Sequence, residues 1–401
     1  MSDGAGYGVV SDGYPDVRPD TSAARVASDG LRVFVANGGT LHAYGLRDGR
    51  ERWRSHAAGL STPAFGSGLV VAVDAGGRLR AFDPATGAAR WTAMLPLMRA
   101  RAAVVAASDG FFVYGASRDG SFAASVGAGG HLWWERDVRG ASFFALGAIA
   151  GSIAYVQDSE SGATTVTQVR VFRLGANGGP LGATTGDGPI AIDAGGAWLA
   201  YAWNSGSTTF GVVRLDAVSG FRPSAQWLYT PNSDPRAQLP GFGQTAIDGG
   251  YVFGQTHENA GTNLPRAPIY RYPLAPADGR QPLIVSAGAR WIGGPHAGTI
   301  VAERGDGLWL LRAGTQTVRA LHALTYDDTT THADVVAFDG AIVYVGFSDG
   351  RLVAIETGTG RVRASATGVC PDDWIAIAVG GPVVFGECST SIAAFARIAA
   401  S

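Results

Sequence analysis

The chain repeats one pattern of short apolar runs separated by polar, glycine-rich turns. Each repeat has an apolar run, a second run, a polar turn, a third run, a turn with glycine and a fourth strand-sized run. Runs of this length bounded by Gly, Asp and Pro predict β-strands rather than helices. We therefore expect repeated units of four antiparallel strands, which we call A to D in chain order.

The second unit shows the pattern most clearly. Its strand A is predicted at residues 62–65, B at 69–73, C at 78–82 and D around 90–94. Asp, Pro and Gly fill the turns between them, as expected where φ must be positive or preset. Counting strand A along the chain gives nine units of roughly 45 residues. The predicted A strands lie near residues 24–26, 62–65, 104–107, 143–148, 190–192, 244–247, 290–292, 335–338 and 375–379.

The last unit has no strand D of its own, since it ends with strand C near residues 392–395. A strand at residues 7–10 could complete it and leave no open sheet edge. We therefore predict an all-β fold: a single closed β-propeller domain over residues 1–401, with residues 1–20 closing the last blade. Propellers commonly have four to eight blades, so eight blades with one misread unit is the alternative to nine.

An eleven-residue frame recurs at the junction of strands C and D. Its copies begin and end at Ala43 and Trp53, at Ala81 and Trp91, and at Ala123 and Trp133, and a fourth copy at residues 354–364 lacks only the tryptophan. We interpret the alanine as letting neighbouring sheets approach and Gly87 as turning strand C into D. The indole would fill the space between blades, so a structural role is favoured over cofactor stacking.

This frame resembles the tryptophan-docking motif of quinoprotein-type β-propellers, the family of pyrroloquinoline-quinone dehydrogenases and their non-enzymatic relatives. The motif is clear in about four units, and residues 141–288 carry it only as strand and turn pattern. The resemblance implies that an enzyme would add an adjacent-cysteine disulfide, a calcium-binding carboxylate set and a catalytic aspartate. Cys370 and Cys388 are not adjacent, and no acidic cluster matches. We therefore expect the non-enzymatic branch, without pyrroloquinoline quinone or another cofactor.

Composition and charge narrow the range of partners. Glycine supplies 59 of 401 residues and charged residues only 16%, against a typical quarter, which suits many tight turns and buried strands. The net charge of −2 without a basic stripe argues against nucleic acid. The longest apolar runs are well short of the ~20 residues that span a bilayer. We expect a monomer whose partner is a protein.

Motifs for catalysis are missing from the sequence. There is no Gly-x-Ser-x-Gly elbow, and the seven histidines show neither HExxH nor another zinc spacing. We therefore expect no catalytic residues. An enzymatic role and a bound metal ion both stay open.

The two cysteines bear on the cellular compartment. If the last A–B hairpin turns at residues 380–381, antiparallel pairing sets residue 373 opposite Cys388, with Cys370 in the loop just beyond. Both thiols then lie at the same end of one blade. A disulfide would suit a periplasmic or extracellular chain whose signal or anchor has been removed. The alternative is two half-buried free cysteines in a cytoplasmic protein.

The longest connections all fall at one end of the predicted blades. The A–B and C–D turns are short, whereas the insertions belong to the B–C and D–A connections. Such a concentration predicts a functional surface. We therefore predict a non-catalytic binding or scaffold protein that uses the B–C and D–A face. The alternative is an enzyme or a small-ligand binder, for a metal or a carbohydrate, with a polar site at the channel mouth.

Carboxylates and histidines on that face are the candidate binding residues. They are His257 and Glu258 in a B–C insertion, Asp327, Asp328 and His332 in the D–A connection that enters the eighth unit, and Asp234 and Arg236 in the one that enters the sixth. If these side chains converge, they form a patch that suits a metal or a polar ligand. The other interpretation is separate, solvated loop residues.

Overall fold

In a computed structural model, every element of the described chain is a β-strand. The described residues are 25–37, 39–57, 59–99, 102–160, 166–185, 187–192, 198–203, 209–216, 222–229, 242–256, 268–274, 283–314, 317–327, 330–371, 374–380, 383–388 and 392–398. Within them no helix has the length and apolar character needed to cross a bilayer.

Two compact units divide the chain. Unit I comprises Pro15–Thr185 and Gly380–Arg397, and unit II comprises Met1–Tyr14, Gly186–Val379 and Ile398–Ser401. The single domain expected from the sequence stays a prediction.

Unit I contains four antiparallel sheets in which four consecutive strands lie side by side. Sheet 1 is β1 (Arg25–Ser28), β2 (Arg32–Asn37), β3 (Thr40–Gly45) and β4 (Glu51–His56); sheet 2 is β5 (Ala64–Gly66), β6 (Leu69–Val73), β7 (Arg78–Phe82) and β8 (Ala89–Met94); sheet 3 is β9 (Ala102–Ala107), β10 (Gly110–Ala116), β11 (Gly120–Gly127) and β12 (Leu132–Arg139); sheet 4 is β13 (Ala141–Ala150), β14 (Ile153–Glu160), β15 (Val166–Arg173) and β16 (Gly179–Thr185).

Unit II contains four more sheets of the same construction. Sheet 5 is β17 (Asp187–Ile192), β18 (Trp198–Trp203), β19 (Thr209–Asp216) and β20 (Arg222–Tyr229); sheet 6 is β21 (Phe242–Asp248), β22 (Tyr251–Thr256), β23 (Ile269–Pro273) and β24 (Leu283–Ser286); sheet 7 is β25 (Arg290–His296), β26 (Thr299–Arg304), β27 (Gly307–Ala313) and β28 (Val318–Thr325); sheet 8 is β29 (Ala333–Asp339), β30 (Ile342–Phe347), β31 (Leu352–Glu356) and β32 (Val362–Ala366). The three-stranded sheet 9 follows in the chain as β33 (Trp374–Gly380), β34 (Val383–Cys388) and β35 (Ile392–Ala396), of which β34 and β35 lie in unit I.

Each predicted strand A overlaps the first strand of one of these nine sheets. The all-β propeller fold with four-stranded antiparallel blades is confirmed. The proposed closing strand at residues 7–10 lies outside the described residues, so closure of the ring stays a prediction.

The apolar core lies between neighbouring sheets. In unit I, Phe34 of sheet 1 packs with Val70 and Phe82 of sheet 2 in one fully buried cluster. A further cluster joins Val383 and Phe385 of β34 to side chains of sheet 1. Burial of both faces of a sheet explains why the inner strands read as nearly continuous apolar runs.

Trp53 and Trp91 connect successive sheets as the repeated frame predicts. The Nε1 of Trp53 donates a hydrogen bond of 2.9 Å to the carbonyl oxygen of Pro84, in the C–D turn of the next sheet. The Trp53 ring covers Gly87, where an added Cβ would lie 2.6 Å from the indole. Trp91 donates in the same way to the carbonyl oxygen of Ala128, at 2.8 Å. Each contact therefore combines apolar packing with a satisfied indole N–H.

In sheet 3 the structure places Trp134, and not Trp133, in the docking position. Trp134 is buried and stacks on Phe172 of sheet 4, with ring centroids 6.0 Å apart. Trp133 is half-buried, lies against Gly127 of its own sheet and packs on the core cluster between sheets 3 and 4. The contact with the C–D turn of the next sheet, at Gly178, belongs to Trp134 instead of Trp133.

The pairing register of strands C and D explains why Trp134 takes the docking position in sheet 3. Ala43 pairs with Trp53, but the residue that pairs with Trp134 is Ser125, two positions after Ala123. The C–D turn of sheet 3 is one residue shorter than that of sheet 2. In sheet 3 the Gly130 amide donates to the carbonyl oxygen of Gly127, three residues back, whereas in sheet 2 the Gly87 amide donates to the carbonyl oxygen of Asp83, four residues back. Ala123 is fully buried all the same.

Cys370 and Cys388 form a disulfide, and both are buried. The crosslink closes a loop of roughly twenty residues, so replacing both cysteines by alanine should lower the free energy of unfolding by about 3 kcal/mol. Urea denaturation of the oxidised protein and of the double variant measures the difference. Reductant should shift the midpoint of the wild type toward that of the variant and leave the variant unchanged. Coincident midpoints for all forms would show that the crosslink contributes nothing.

Candidate functional site

A buried carboxylate organises the D–A connection that enters sheet 8. Glu303 lies in β26, and its side chain is 1% exposed. Its Oε1 accepts hydrogen bonds from the Tyr326 hydroxyl at 2.6 Å and from the Ala333 amide at 3.0 Å. Tyr326 begins the connection and Ala333 begins β29. The Glu303 carboxylate therefore binds both ends of residues 326–332, which we call the 326–332 connection.

Arg290 completes this anchor from the start of β25. Its Nη1 lies 3.1 Å from Oε2 of Glu303 and donates to the Ala333 carbonyl oxygen at 3.0 Å. The Tyr326 ring also meets the fully buried Phe347 edge-on, with centroids 5.3 Å apart. A buried charge needs such compensation, because desolvation of an unpaired carboxylate is costly.

Within the 326–332 connection, backbone hydrogen bonds join Asp327 to Thr330 and Thr331. The Asp327 carbonyl oxygen accepts hydrogen bonds from the amides of Thr330 and Thr331, at 3.2 and 3.1 Å. It also accepts from the Thr330 hydroxyl at 3.1 Å. These hydrogen bonds hold Asp327 and Thr330, whose side chains are exposed, close to each other.

His332 joins this connection to the B–C turn of sheet 8. The His332 amide donates to Oγ of Ser348 at 3.0 Å, and the Ser348 amide donates back to the His332 carbonyl oxygen at 2.8 Å. The His332 ring Nε2 lies 3.1 Å from Oδ1 of Asp334, and both side chains remain partly exposed. In the same B–C turn, Asp349 pairs with Arg351 at 2.6 Å.

These residues form a polar surface at the entrance to sheet 8. It offers carboxylate, imidazole and hydroxyl groups that can hydrogen-bond to a polar partner. In the described part of the chain, no group of three His, Cys, Asp or Glu side chains could hold a metal ion.

The structure places two of the predicted binding residues, Asp327 and His332, on one anchored connection. The other five candidates lie outside the described residues: His257, Glu258, Asp328, Asp234 and Arg236.

Sequence reasoning missed the residues that hold the surface in place. Glu303 is the one carboxylate in β26 and follows the apolar residues 300–302, and a charge in a buried strand signals a specific partner. That signal could have singled out Glu303. Its partners, 13 to 30 positions away in the chain, could not be named from spacing.

Comparison with known proteins agrees with the repeat pattern. Residues 11–187 match a family described as outer membrane protein assembly factor BamB. No curated protein matches the chain.

Solved structures match over nearly the whole chain at low identity. The computationally designed Ika8 protein is 14% identical, with coverage of 94% of this chain and 97% of that one and a TM-score of 0.52. BamB from Moraxella catarrhalis is 14% identical, with 92% and 95% covered and a TM-score of 0.46. A eukaryotic initiation factor is 11% identical, with 86% and 87% covered and a TM-score of 0.50. At these identities the likeness concerns the fold alone. The repeated docking frame and this match identify residues 11–187 as PQQ-like repeats of a β-propeller.

Proposed function

We propose that this protein is a non-catalytic binding module that holds a protein partner on its B–C and D–A face. The observation that carries the proposal is the anchoring of the 326–332 connection at both ends by buried Glu303. A surface loop that is fixed by a buried ion pair is preorganised, which reduces the ordering cost of binding. The partner would meet the polar side chains of Asp327, His332 and Asp334.

Two further observations support this assignment. The matching family is named for an assembly factor, a role that depends on binding other proteins. The Cys370–Cys388 disulfide suits an oxidising compartment, so we place the protein in the periplasm or outside the cell. The proposal includes no quinone cofactor.

The test replaces His257, Asp328 and His332 by alanine. The variant should unfold within ~0.5 kcal/mol of the wild type, as expected for residues that the sequence predicts in surface loops. It should retain much less of the partner that the wild type captures from extract of the native organism. A matched control replaces Arg361 by alanine, since Arg361 is exposed in the C–D turn of sheet 8, at the opposite end of the strands.

The control should capture the partner fully. Full capture by the triple variant, together with loss of capture by the control, would show that the partner binds the opposite end of the blades.

A further inference from the structure

A depression in unit I lies among the short turns, which the proposed function does not use. It has a volume of about 510 Å³ and lies between the A–B turn of sheet 1, the C–D turn of sheet 1 and Ala85 of sheet 2. Its lining combines two leucines with three arginines: Leu31, Leu46, Arg32, Arg47 and Arg52.

Asp29 neutralises the first of these arginines and fixes the A–B turn. Its carboxylate accepts from Nε and Nη2 of Arg32, at 2.9 and 2.6 Å. It also accepts from the amides of Leu31 and Arg32, at 2.9 and 2.7 Å. Since the Asp29 side chain is only 5% exposed, the turn that carries Leu31 is held rigidly.

Asp48 neutralises the second arginine. Nη2 of Arg52 lies 2.9 and 2.8 Å from the two carboxylate oxygens of Asp48. The backbone amide of Arg50 and the charge of Arg52 hold the pKa of the Asp48 carboxyl below its usual value. The ion pair lies across Gly45, where an added Cβ would come 2.6 Å from Nη2 of Arg52. The missing side chain of Gly45 therefore makes room for this wall of the depression.

Arg47 and Leu31 remain without comparable partners. In the described part of the chain, Arg47 is exposed and has no carboxylate partner, unlike Arg32 and Arg52. Leu31 is 66% exposed, the largest value among the large apolar side chains described. Arginine is enriched at protein interfaces, and Leu31 offers an apolar contact beside Arg47 on a turn that Asp29 holds in place.

We propose that this depression binds an extended acidic peptide segment, with its carboxylate on Arg47 and a neighbouring apolar side chain on Leu31. A carboxylate matches the unbalanced guanidinium, and an apolar side chain would remove Leu31 from water. The site is separate from the 326–332 connection of unit II and would add a second contact for a protein partner.

A synthetic peptide with two aspartates flanking a leucine tests the proposal. Its fluorescein-labelled form is titrated with the full chain by fluorescence anisotropy, beside a peptide in which asparagine replaces both aspartates. Arg47→Gln and Leu31→Ser should each weaken binding of the acidic peptide about tenfold, since each removes one of the two contacts. Added salt should also weaken binding of the acidic peptide, because the ion pair between Arg47 and the peptide carboxylate is exposed.

Arg118→Gln is the matched control, since Arg118 is an exposed arginine in the B–C turn of sheet 3 without an ion-pair partner among the described residues. It should leave the affinity unchanged. Equal binding of the two peptides, equal losses for Arg47→Gln and Arg118→Gln, or no binding at millimolar peptide would each overturn the proposal. Self-association of the wild type that Arg47→Gln abolishes would assign the depression to a second copy of the chain and overturn it as well.

Discussion

Replacing Glu303 by alanine should lower the free energy of unfolding by about 3–5 kcal/mol, the usual cost of breaking a buried ion pair. The change removes the carboxylate that faces Arg290 and takes away the acceptor of both the Tyr326 hydroxyl and the Ala333 amide. Buried donors that lose their acceptor retain the full cost of desolvation. Glu303→Gln keeps one oxygen acceptor and should cost less.

Urea denaturation measures this loss, and Glu51→Ala is the control. Glu51 pairs with His42 at 2.8 Å in a partly exposed position, where an ion pair is worth under about 1 kcal/mol. Hydrogen exchange adds a local readout, since the amides of Thr330 and Thr331 should exchange faster in Glu303→Ala alone. If Glu303→Ala and Glu51→Ala cost the same and exchange is unchanged, Glu303 does not hold the connection.

The fold could be predicted from sequence because its signals are local. Strand length, Gly and Asp in the turns and the repeated frame each depend on a few neighbouring residues. The predicted strand A at residues 104–107, for example, lies inside β9. The register of one hairpin placed Cys370 and Cys388 at the same end of a blade, and of the two alternatives left open the structure has the disulfide.

What the sequence could not supply was register within a repeat and contacts between distant segments. The ten-residue spacing from Ala123 to Trp133 matches the other frames, yet the turn is one residue shorter and Trp134 takes the docking position. In sheet 7, Leu321 takes the position of the tryptophan and lies beside Gly360 of sheet 8, 3.5 Å from an added Cβ. A frame defined by its tryptophan cannot detect that substitution.

Replacing Trp91 by alanine should lower the free energy of unfolding by about 3–5 kcal/mol, as for other large core aromatics. The change removes the ring that covers Gly130, its contact with Phe111 and the hydrogen bond to Ala128. Trp91→Phe keeps most of the apolar contact and loses the indole donor, so it should cost less, with about 1 kcal/mol from the hydrogen bond. Denaturant midpoints of the three proteins measure both differences.

A double-mutant cycle with Gly130→Ala tests whether the ring occupies the turn of the next sheet. Gly130 has φ of 84°, and an added Cβ would lie 2.6 Å from the Trp91 ring, so alanine there brings backbone strain and a clash. In the Trp91→Ala background only the strain remains, so the cost of Gly130→Ala should fall by about 1–2 kcal/mol, within the range of coupling between residues in contact. Gly49→Ala is the control for strain alone, since Gly49 has φ of 65° and open space around it. Because Trp91 does not contact Gly49, the cost of Gly49→Ala should be the same in the wild type and in Trp91→Ala. Equal costs of Gly130→Ala with and without Trp91 would show that the indole does not dock on this turn.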